Sequence, residues 1–112
     1  MLPEVPQHII DNTTLTKLKI LTFNNLACVL KNNKHYMMAL KAVSYAVDLE
    51  EQMIKNINEE EQYDIVATYL NKAAILSDMN KHSRALEEIR KARNYAEKIE
   101  KDVEMQLRNC QD

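Results

Sequence analysis

The chain has 112 residues, of which 46% are hydrophobic and 29% are charged, and its formal net charge is −2 at pH 7. This composition is typical of one folded domain and excludes a disordered chain, and the small net charge predicts no general attraction to nucleic acid or anionic lipid. Glycine is absent, and both prolines, Pro3 and Pro6, lie near the N-terminus. Because the remaining chain carries no helix breaker, we expect an all-α fold.

The apolar runs are too short to span a membrane, and the N-terminus lacks the apolar core of a signal peptide. Without a secretory signal, Cys28 and Cys110 are expected to be unpaired thiols in a reducing compartment. We therefore expect a cytoplasmic protein, with association with the cytoskeleton as a narrower expectation.

Residues 1–11 are predicted to form an N-terminal arm. The first helix is predicted to follow the N-cap residues Asp11, Asn12, Thr13 and Thr14 and to end near Asn32. The second is predicted from about His35 to Asn56, and the short turn between them requires the two to run antiparallel. The first helix carries one apolar stripe at the spacing of a buried face, with Leu15, Leu18, Phe23, Leu26, Ala27 and Leu30. The second has an expected buried face of Tyr36, Ala39, Leu40, Val43, Ala46, Val47 and Ile54.

The third helix is predicted to begin near Asn58, whose spacing to Glu61 resembles a capping box, and to continue to about Met79. The fourth is predicted from about Lys81 to Asn109, and at ~1.5 Å per residue it is about 40 Å long. This exceeds what its partner needs, so its far end must pack on a further helix or a second chain, or fray. Its apolar seam steps by threes and fours through Ala85, Ile89, Ala92, Ala96, Ile99, Val103, Gln106 and Cys110. Its outer face carries charges at i,i+4 spacing, in the pairs Glu87–Lys91, Glu97–Lys101 and Glu104–Arg108.

One segment occurs twice. The string that begins Asn25-Leu26-Ala27 is repeated 46 residues later as Asn71-Lys72-Ala73, and Ala39-Leu40 is repeated as Ala85-Leu86. The turn strings Asn33-Lys34-His35 and Asn80-Lys81-His82 also recur, at a spacing longer by one residue. The small alanines allow two helices to approach closely where they cross. A fixed period of this kind predicts a solenoid of two units, residues 12–57 and 58–112.

These motifs resemble the tetratricopeptide repeat family, in its long-period branch typified by kinesin light chains. Residues 64–73, which read DIVATYLNKA, lie close to the branch string D-V-A-T-T-L-N-N-L-A, and Asn24-Asn25-Leu26-Ala27 matches its end. The second half of the motif is present as Tyr36-x-x-Ala39-Leu40 and His82-x-x-Ala85-Leu86. The sequence departs from the family at Lys72 and His82, and at Lys34 and Asn80, where glycine is usual. The resemblance, over about residues 12 to 100, implies a tetratricopeptide-like α-solenoid of two antiparallel helix hairpins with an extended C-terminal helix.

The resemblance further implies that the first helix of each pair lines a concave, partner-binding wall. The expected wall residues are Leu21, Asn24, Asn25, Cys28 and Lys31 from the first unit and Ala67, Leu70, Asn71, Ala74 and Asp78 from the second. Asn25 and Asn71 occupy the family position at which an amide often clamps a ligand's peptide backbone, since asparagine both donates and accepts. The alternative is that both are ordinary polar residues on a helix face.

Catalytic chemistry is not expected. Ser44, Ser77 and Ser83 lack the context of a nucleophile elbow, and no glycine-rich loop exists to hold a phosphate. His35 and His82 have no second ligand at helical spacing, so neither a metal nor a cofactor is expected. We expect a non-catalytic adaptor or scaffold that binds a segment of another protein. The alternative is a structural subunit, or a fragment of a longer array, held in a cytoskeletal, motor or ciliary assembly through self-association or packing of the last helix.

Overall fold

The computed structural model of the protein describes residues 12–55 and 63–110. These residues form four helices and no strand: α1 (Asn12–Asn32), α2 (Tyr36–Ile54), α3 (Tyr63–Asp78) and α4 (His82–Asn109). The predicted all-α class is confirmed. The predicted arm over 1–11, the unit boundary between 57 and 58 and the capping box of Asn58 and Glu61 lie outside the described residues.

The four helices pack in a row, in chain order. α1 packs on α2, α2 on α3 and α3 on α4, and α1 touches α3 lightly. Within the described residues, no Cα atom of α4 comes within 8 Å of one in α1 or α2. Because the connections over 33–35 and 79–81 are short, α1–α2 and α3–α4 are antiparallel hairpins. The two hairpins therefore lie side by side in an open arrangement, which differs from a closed four-helix bundle.

Burial follows from this order, since the two middle helices have neighbours on both sides. Val43 in α2 and Leu76 in α3 are fully buried, and the alanines at the two hairpin crossings are buried with them. These residues belong to one apolar cluster that draws on all four helices: Ala27, Ala39, Leu40, Ala42, Val43, Ala73, Ile75, Leu76 and Ala85. The alanines expected at the helix crossings are therefore buried in both hairpins.

The same turn closes both hairpins. Lys34 and Asn80 adopt left-handed backbone conformations, with φ of 65° and 62°. In the first turn the amide of His35 donates to the Leu30 carbonyl at 2.8 Å, and the amide of Lys34 donates to the Lys31 carbonyl at 2.9 Å. This is a Schellman motif, and the second turn repeats both bonds 46 residues later.

The turns show how the recurring Asn-Lys-His strings align with the fold. In the structure Lys34 corresponds to Asn80, and His35 corresponds to Lys81, because each of these pairs occupies the same place in the turn. The recurring Asn-Lys-His string is therefore shifted by one residue relative to the fold. His82 is the counterpart of Tyr36, and the two histidines do not occupy equivalent positions.

The outer faces of the row differ from the predicted stripes. On α1, Leu15, Leu18 and Leu26 are largely exposed, whereas Ile20, which was not predicted, is buried, as is Ala27. On α4, Ala85, Ala92 and Ile99 are buried, while the remaining seam residues are exposed: Ile89, Ala96, Val103, Gln106 and Cys110. These positions are exposed because α1 and α4 have a neighbour on one side alone within the described chain.

The ion pairs on α4 also differ from those predicted. Lys91 pairs with Glu88 at 3.4 Å, and Glu97 pairs with Arg93 at 3.9 Å. In neither case is the partner the residue expected from i,i+4 counting of Glu87–Lys91 and Glu97–Lys101. Arg93 and Glu97 are both exposed, so their pair contributes little to stability.

Candidate partner-binding cavity

A cavity of about 370 Å³ lies where α1 and α3 face each other across the end of α2. Its walls are mainly apolar and carry a small number of polar groups, a mixture typical of binding sites for peptides and small molecules. We call it the α1–α3 cavity, and its lining residues are Lys17, Ile20, Leu21, Asn24, Glu50, Met53, Ile54, Ala67, Thr68 and Asn71.

A chain of hydrogen bonds forms one wall of the α1–α3 cavity. The amide nitrogen of Asn24 donates to the hydroxyl of Thr68 at 2.9 Å, and that hydroxyl donates to the carboxylate of Glu50. Thr68 and Glu50 are both buried, so the chain joins α1, α3 and α2 through groups that have lost their contact with water. Buried polar groups require such partners, and the chain therefore fixes how the two hairpins meet.

The same wall contains one polar atom that makes no hydrogen bond within the described part of the chain. The side-chain oxygen of Asn24 is buried and accepts no hydrogen bond from the described residues. A buried acceptor without a donor is unfavourable. Asn71, which also lines the cavity, supplies a second amide that is partly exposed.

The structure divides the predicted wall residues into groups. Leu21, Asn24, Ala67 and Asn71 line the α1–α3 cavity. Leu70 and Ala74 instead line a second groove, on the side of α3 that faces α4.

The remaining four predicted residues lie elsewhere. Lys31 and Asp78 form an ion pair at 3.8 Å between the C-terminal ends of α1 and α3. Asn25 and Cys28 are exposed and line neither of these two hollows. The two asparagines that the repeat relates, Asn25 and Asn71, are therefore in different surroundings.

Six of the residues that line the cavity were not among the predicted wall residues, and two of these, Thr68 and Glu50, belong to its hydrogen-bonded chain. Thr68 belongs to the string 64–73 that carries the family resemblance, but no role was assigned to it. Glu50 follows Val43 and Val47 at helical spacing on the buried face of α2, but it was not among the residues predicted for that face. A carboxylate in register with a buried apolar face indicates a hydrogen-bonded site, and this was the available signal.

A second polar contact lies beside the cavity and also joins α2 to α3. The hydroxyl of Tyr69 donates to the Glu51 carboxylate at 2.5 Å. Burial, followed by this hydrogen bond and the negative charge of Glu51, raises the pKa of Tyr69 well above the usual value for tyrosine. The ring stacks on Tyr95 with centroids 5.9 Å apart, which extends the contact to α4.

The described ranges hold no group of three or more His, Cys, Asp or Glu side chains placed to bind a metal ion. None of the four helices is both long and apolar enough to cross a membrane. Comparison with protein-family models gives no match, and neither a curated protein nor a solved structure is found to match the chain.

Proposed function

We propose that the protein is a non-catalytic interaction module of the cytoplasm, a tetratricopeptide-like α-solenoid that binds a segment of another protein in the α1–α3 cavity. The observation that carries the proposal is the cavity itself, which is open, largely apolar and formed by the first helices of the two hairpins together with the end of α2. In the repeat family that the sequence resembles, these helices form the concave, partner-binding wall.

The polar groups of the cavity favour a polypeptide as the ligand. Asn71, which lines the cavity and is partly exposed, offers both a donor and an acceptor. A peptide backbone supplies N–H and C=O groups at regular spacing that match such amides. Ile20, Leu21 and Met53 provide apolar surface on which a side chain of that peptide packs.

A second candidate function is that of a structural subunit, or of one section of a longer array, held permanently in an assembly. It is favoured by the apolar side chains that remain exposed at both ends of the row: Leu15, Leu18, Leu26 and Val29 on α1, and Leu86, Ile89, Val103 and Leu107 on α4. Apolar positions at helical spacing on an outer helix mark a face that packs against another element.

Binding of a peptide in the α1–α3 cavity is tested by selecting peptides from a displayed random library and measuring their affinity by fluorescence anisotropy. Ala67→Arg places a long side chain at an exposed position in the cavity wall, and it is expected to weaken binding at least about tenfold. Asn71→Ala is expected to weaken it by a smaller factor. Asn25→Ala is the matched control, since this asparagine is exposed outside the cavity, and it should leave the affinity unchanged.

Selected peptides that bind the Ala67→Arg variant as tightly as the wild type would contradict binding in the α1–α3 cavity. Equal losses for Asn25→Ala and Asn71→Ala would also contradict it, because the effect would then not depend on the cavity. Failure of the selection to yield any binding peptide would favour the structural subunit.

A further inference from the structure

We propose that the protein associates end to end with a second copy of itself, such that the exposed face of α1 in one copy packs into the groove between α3 and α4 of the next. This goes beyond partner binding in the α1–α3 cavity, because it uses the two ends of the row. The proposal depends on comparing the two hairpins, which are related by a shift of 46 residues in sequence and in turn geometry. Residues related by this shift are called counterparts.

The face that α3 buries against the first hairpin is exposed on α1. Ile75 and Thr68 are each 1% exposed in α3. The counterpart of Ile75 is Val29, which is 55% exposed, and the counterpart of Thr68 is Thr22, which is also exposed. Exposed leucines extend this surface along the helix. The resulting α1 stripe consists of Leu15, Leu18, Leu26 and Val29.

The surface that receives α3 in the first hairpin is exposed in the second. Leu40 and Val43 are 9% and 0% exposed, and they pack in one cluster with Ile75. Their counterparts Leu86 and Ile89 are 47% and 44% exposed. They line a groove of about 520 Å³, the end groove, together with Leu70, Ala73, Ala74, Ser77, His82 and Ala85.

The two ends of the row thus carry the two halves of a contact that the chain already forms internally. At the α1 end of the row, another copy supplies the missing end groove. At the α4 end, another copy supplies the missing α1 stripe, so all copies point in the same direction along the row. The contact is heterologous, so one copy offers its α1 stripe and the next offers its end groove. A symmetric dimer of two α1 stripes would instead leave both end grooves exposed, which makes it the less favourable arrangement.

The polar groups of the internal contact have apolar counterparts at the ends. Asn24 and Glu50, which bond through Thr68 inside the chain, correspond to Leu70 and Ala96. Thr22, the counterpart of Thr68, already donates its hydroxyl to the Leu18 carbonyl at 2.7 Å. Burying Thr22 against Leu70 and Ala96 therefore leaves no donor without a partner.

One edge of the proposed contact is charged. The counterpart of the buried Ile65 is Lys19. Val47 and Glu51 correspond to Arg93 and Glu97. The side chains of Arg93 and Glu97 form an ion pair at 3.9 Å. The edge next to the end groove is therefore more polar than the internal interface. We expect an association that is weaker than the internal packing and that increases with protein concentration.

Sedimentation velocity over a series of protein concentrations tests the proposal. The wild type is expected to shift from monomer to larger species as the concentration rises. Leu26→Glu places a charge in the α1 stripe, Ile89→Glu places one in the end groove, and each variant alone should remain monomeric. An equimolar mixture of the two should form a heterodimer and nothing larger, since it contains one intact stripe and one intact groove that can meet.

Two controls separate this inference from other effects. Met37→Glu changes a residue that is 58% exposed on the outer side of α2, and it should associate as the wild type does. Asn71→Ala alters the α1–α3 cavity and should also leave self-association unchanged. Peptide binding in the cavity and end-to-end association can therefore fail independently. Circular dichroism of each variant checks that its helix content is that of the wild type.

A wild type that remains monomeric at every concentration overturns the proposal. A mixture of the two variants that forms no heterodimer also overturns it. If Ile89→Glu associates like the wild type while Leu26→Glu does not, the contact is a symmetric one between α1 stripes, and the end-to-end arrangement is wrong.

Discussion

Lys34 and Asn80 lie 46 residues apart and have the same left-handed backbone conformation, with φ of 65° and 62°. Each residue follows the end of a helix and allows the chain to reverse into the next one. This conformation brings the β-carbon of any residue except glycine close to the following carbonyl, a cost that asparagine partly avoids through local hydrogen bonding. The chain contains no glycine, so Lys34 bears this cost in full.

We expect Lys34→Gly to raise the free energy of unfolding by about 1 kcal/mol, because glycine removes the steric cost at this position. Asn80→Gly should give a smaller increase. Both changes are measured by urea denaturation, with the helix content followed by circular dichroism. Lys41→Gly is the matched control in the exposed interior of α2, and it should lower the free energy of unfolding by about 1 kcal/mol. A decrease for Lys34→Gly would show that its φ is not a source of strain.

The helices themselves were predictable from the sequence. α1 ends at Asn32, as predicted, since the asparagines that follow its last apolar residues favour a helix terminus. α4 begins within one residue of the predicted start and ends at Asn109. The alanines of the two crossings, such as Ala27 and Ala73, were also predictable, because their positions recur at the repeat period.

The burial of each helix face was less predictable, because periodicity shows where apolar residues align but not whether a neighbour covers them. The stripe of Leu15, Leu18 and Leu26 has helical spacing, yet α1 is the first described helix of the row and this side has no neighbour among the described residues. The polar chain through Thr68 could not be predicted either. Its three members come from three helices, and their meeting depends on how the hairpins pack.

A buried ion pair distinguishes the second hairpin from the first. The ammonium of Lys72 lies 3.9 Å from a carboxylate oxygen of Glu88, and both side chains are mostly buried. The other oxygen of Glu88 is buried and has no hydrogen-bond partner among the described residues. Removal of one member of such a pair leaves a charge in a poorly solvated place. The counterparts in the first hairpin are Leu26 and Ala42, which carry no charge.

We expect Lys72→Leu to lower the free energy of unfolding by about 1–3 kcal/mol, since the Glu88 carboxylate then loses a partner. The double variant Lys72→Leu with Glu88→Ala copies the first hairpin and should recover part of that loss. Urea denaturation of the two variants and the wild type gives the comparison. A double variant that is less stable than Lys72→Leu alone would show that the carboxylate is stabilising without its lysine.

The raised pKa of Tyr69 predicts how stability depends on alkaline pH. The folded protein holds the Tyr69 proton more tightly than the unfolded chain, mainly because burial and the Glu51 carboxylate disfavour the phenolate. Above the unfolded pKa of about 10, the unfolded chain binds fewer protons than the folded one, so the stability contributed by this group falls as the pH rises. Below that pH the contribution is fully present.

We therefore expect the wild type to lose stability more steeply above pH ~10 than the Tyr69→Phe variant, which has no proton to release at this position. Urea unfolding at a series of alkaline pH values measures both slopes. Tyr45→Phe is the matched control, because it removes a tyrosine and keeps Tyr69, and it should retain the steep slope of the wild type. Equal slopes for the wild type and Tyr69→Phe would mean that Tyr69 ionises in the folded protein as readily as in the unfolded chain.

Thr68 and its counterpart Thr22 test whether the polar chain holds the hairpins together. Thr68→Val keeps the shape of the side chain but removes the donor to Glu50 and the acceptor for Asn24. Both of those groups sit in the interface between the hairpins, so we expect the free energy of unfolding to fall by about 1–3 kcal/mol. Thr22→Val makes the same chemical change on the exposed side of α1, where the hydroxyl bonds only to its own helix, and should change stability by less than about 0.5 kcal/mol. The two substitutions differ only in whether a second hairpin covers the threonine. Equal effects on the free energy of unfolding would therefore mean that the hydroxyl matters only to its own helix. The contact between the hairpins would then be held by apolar packing alone.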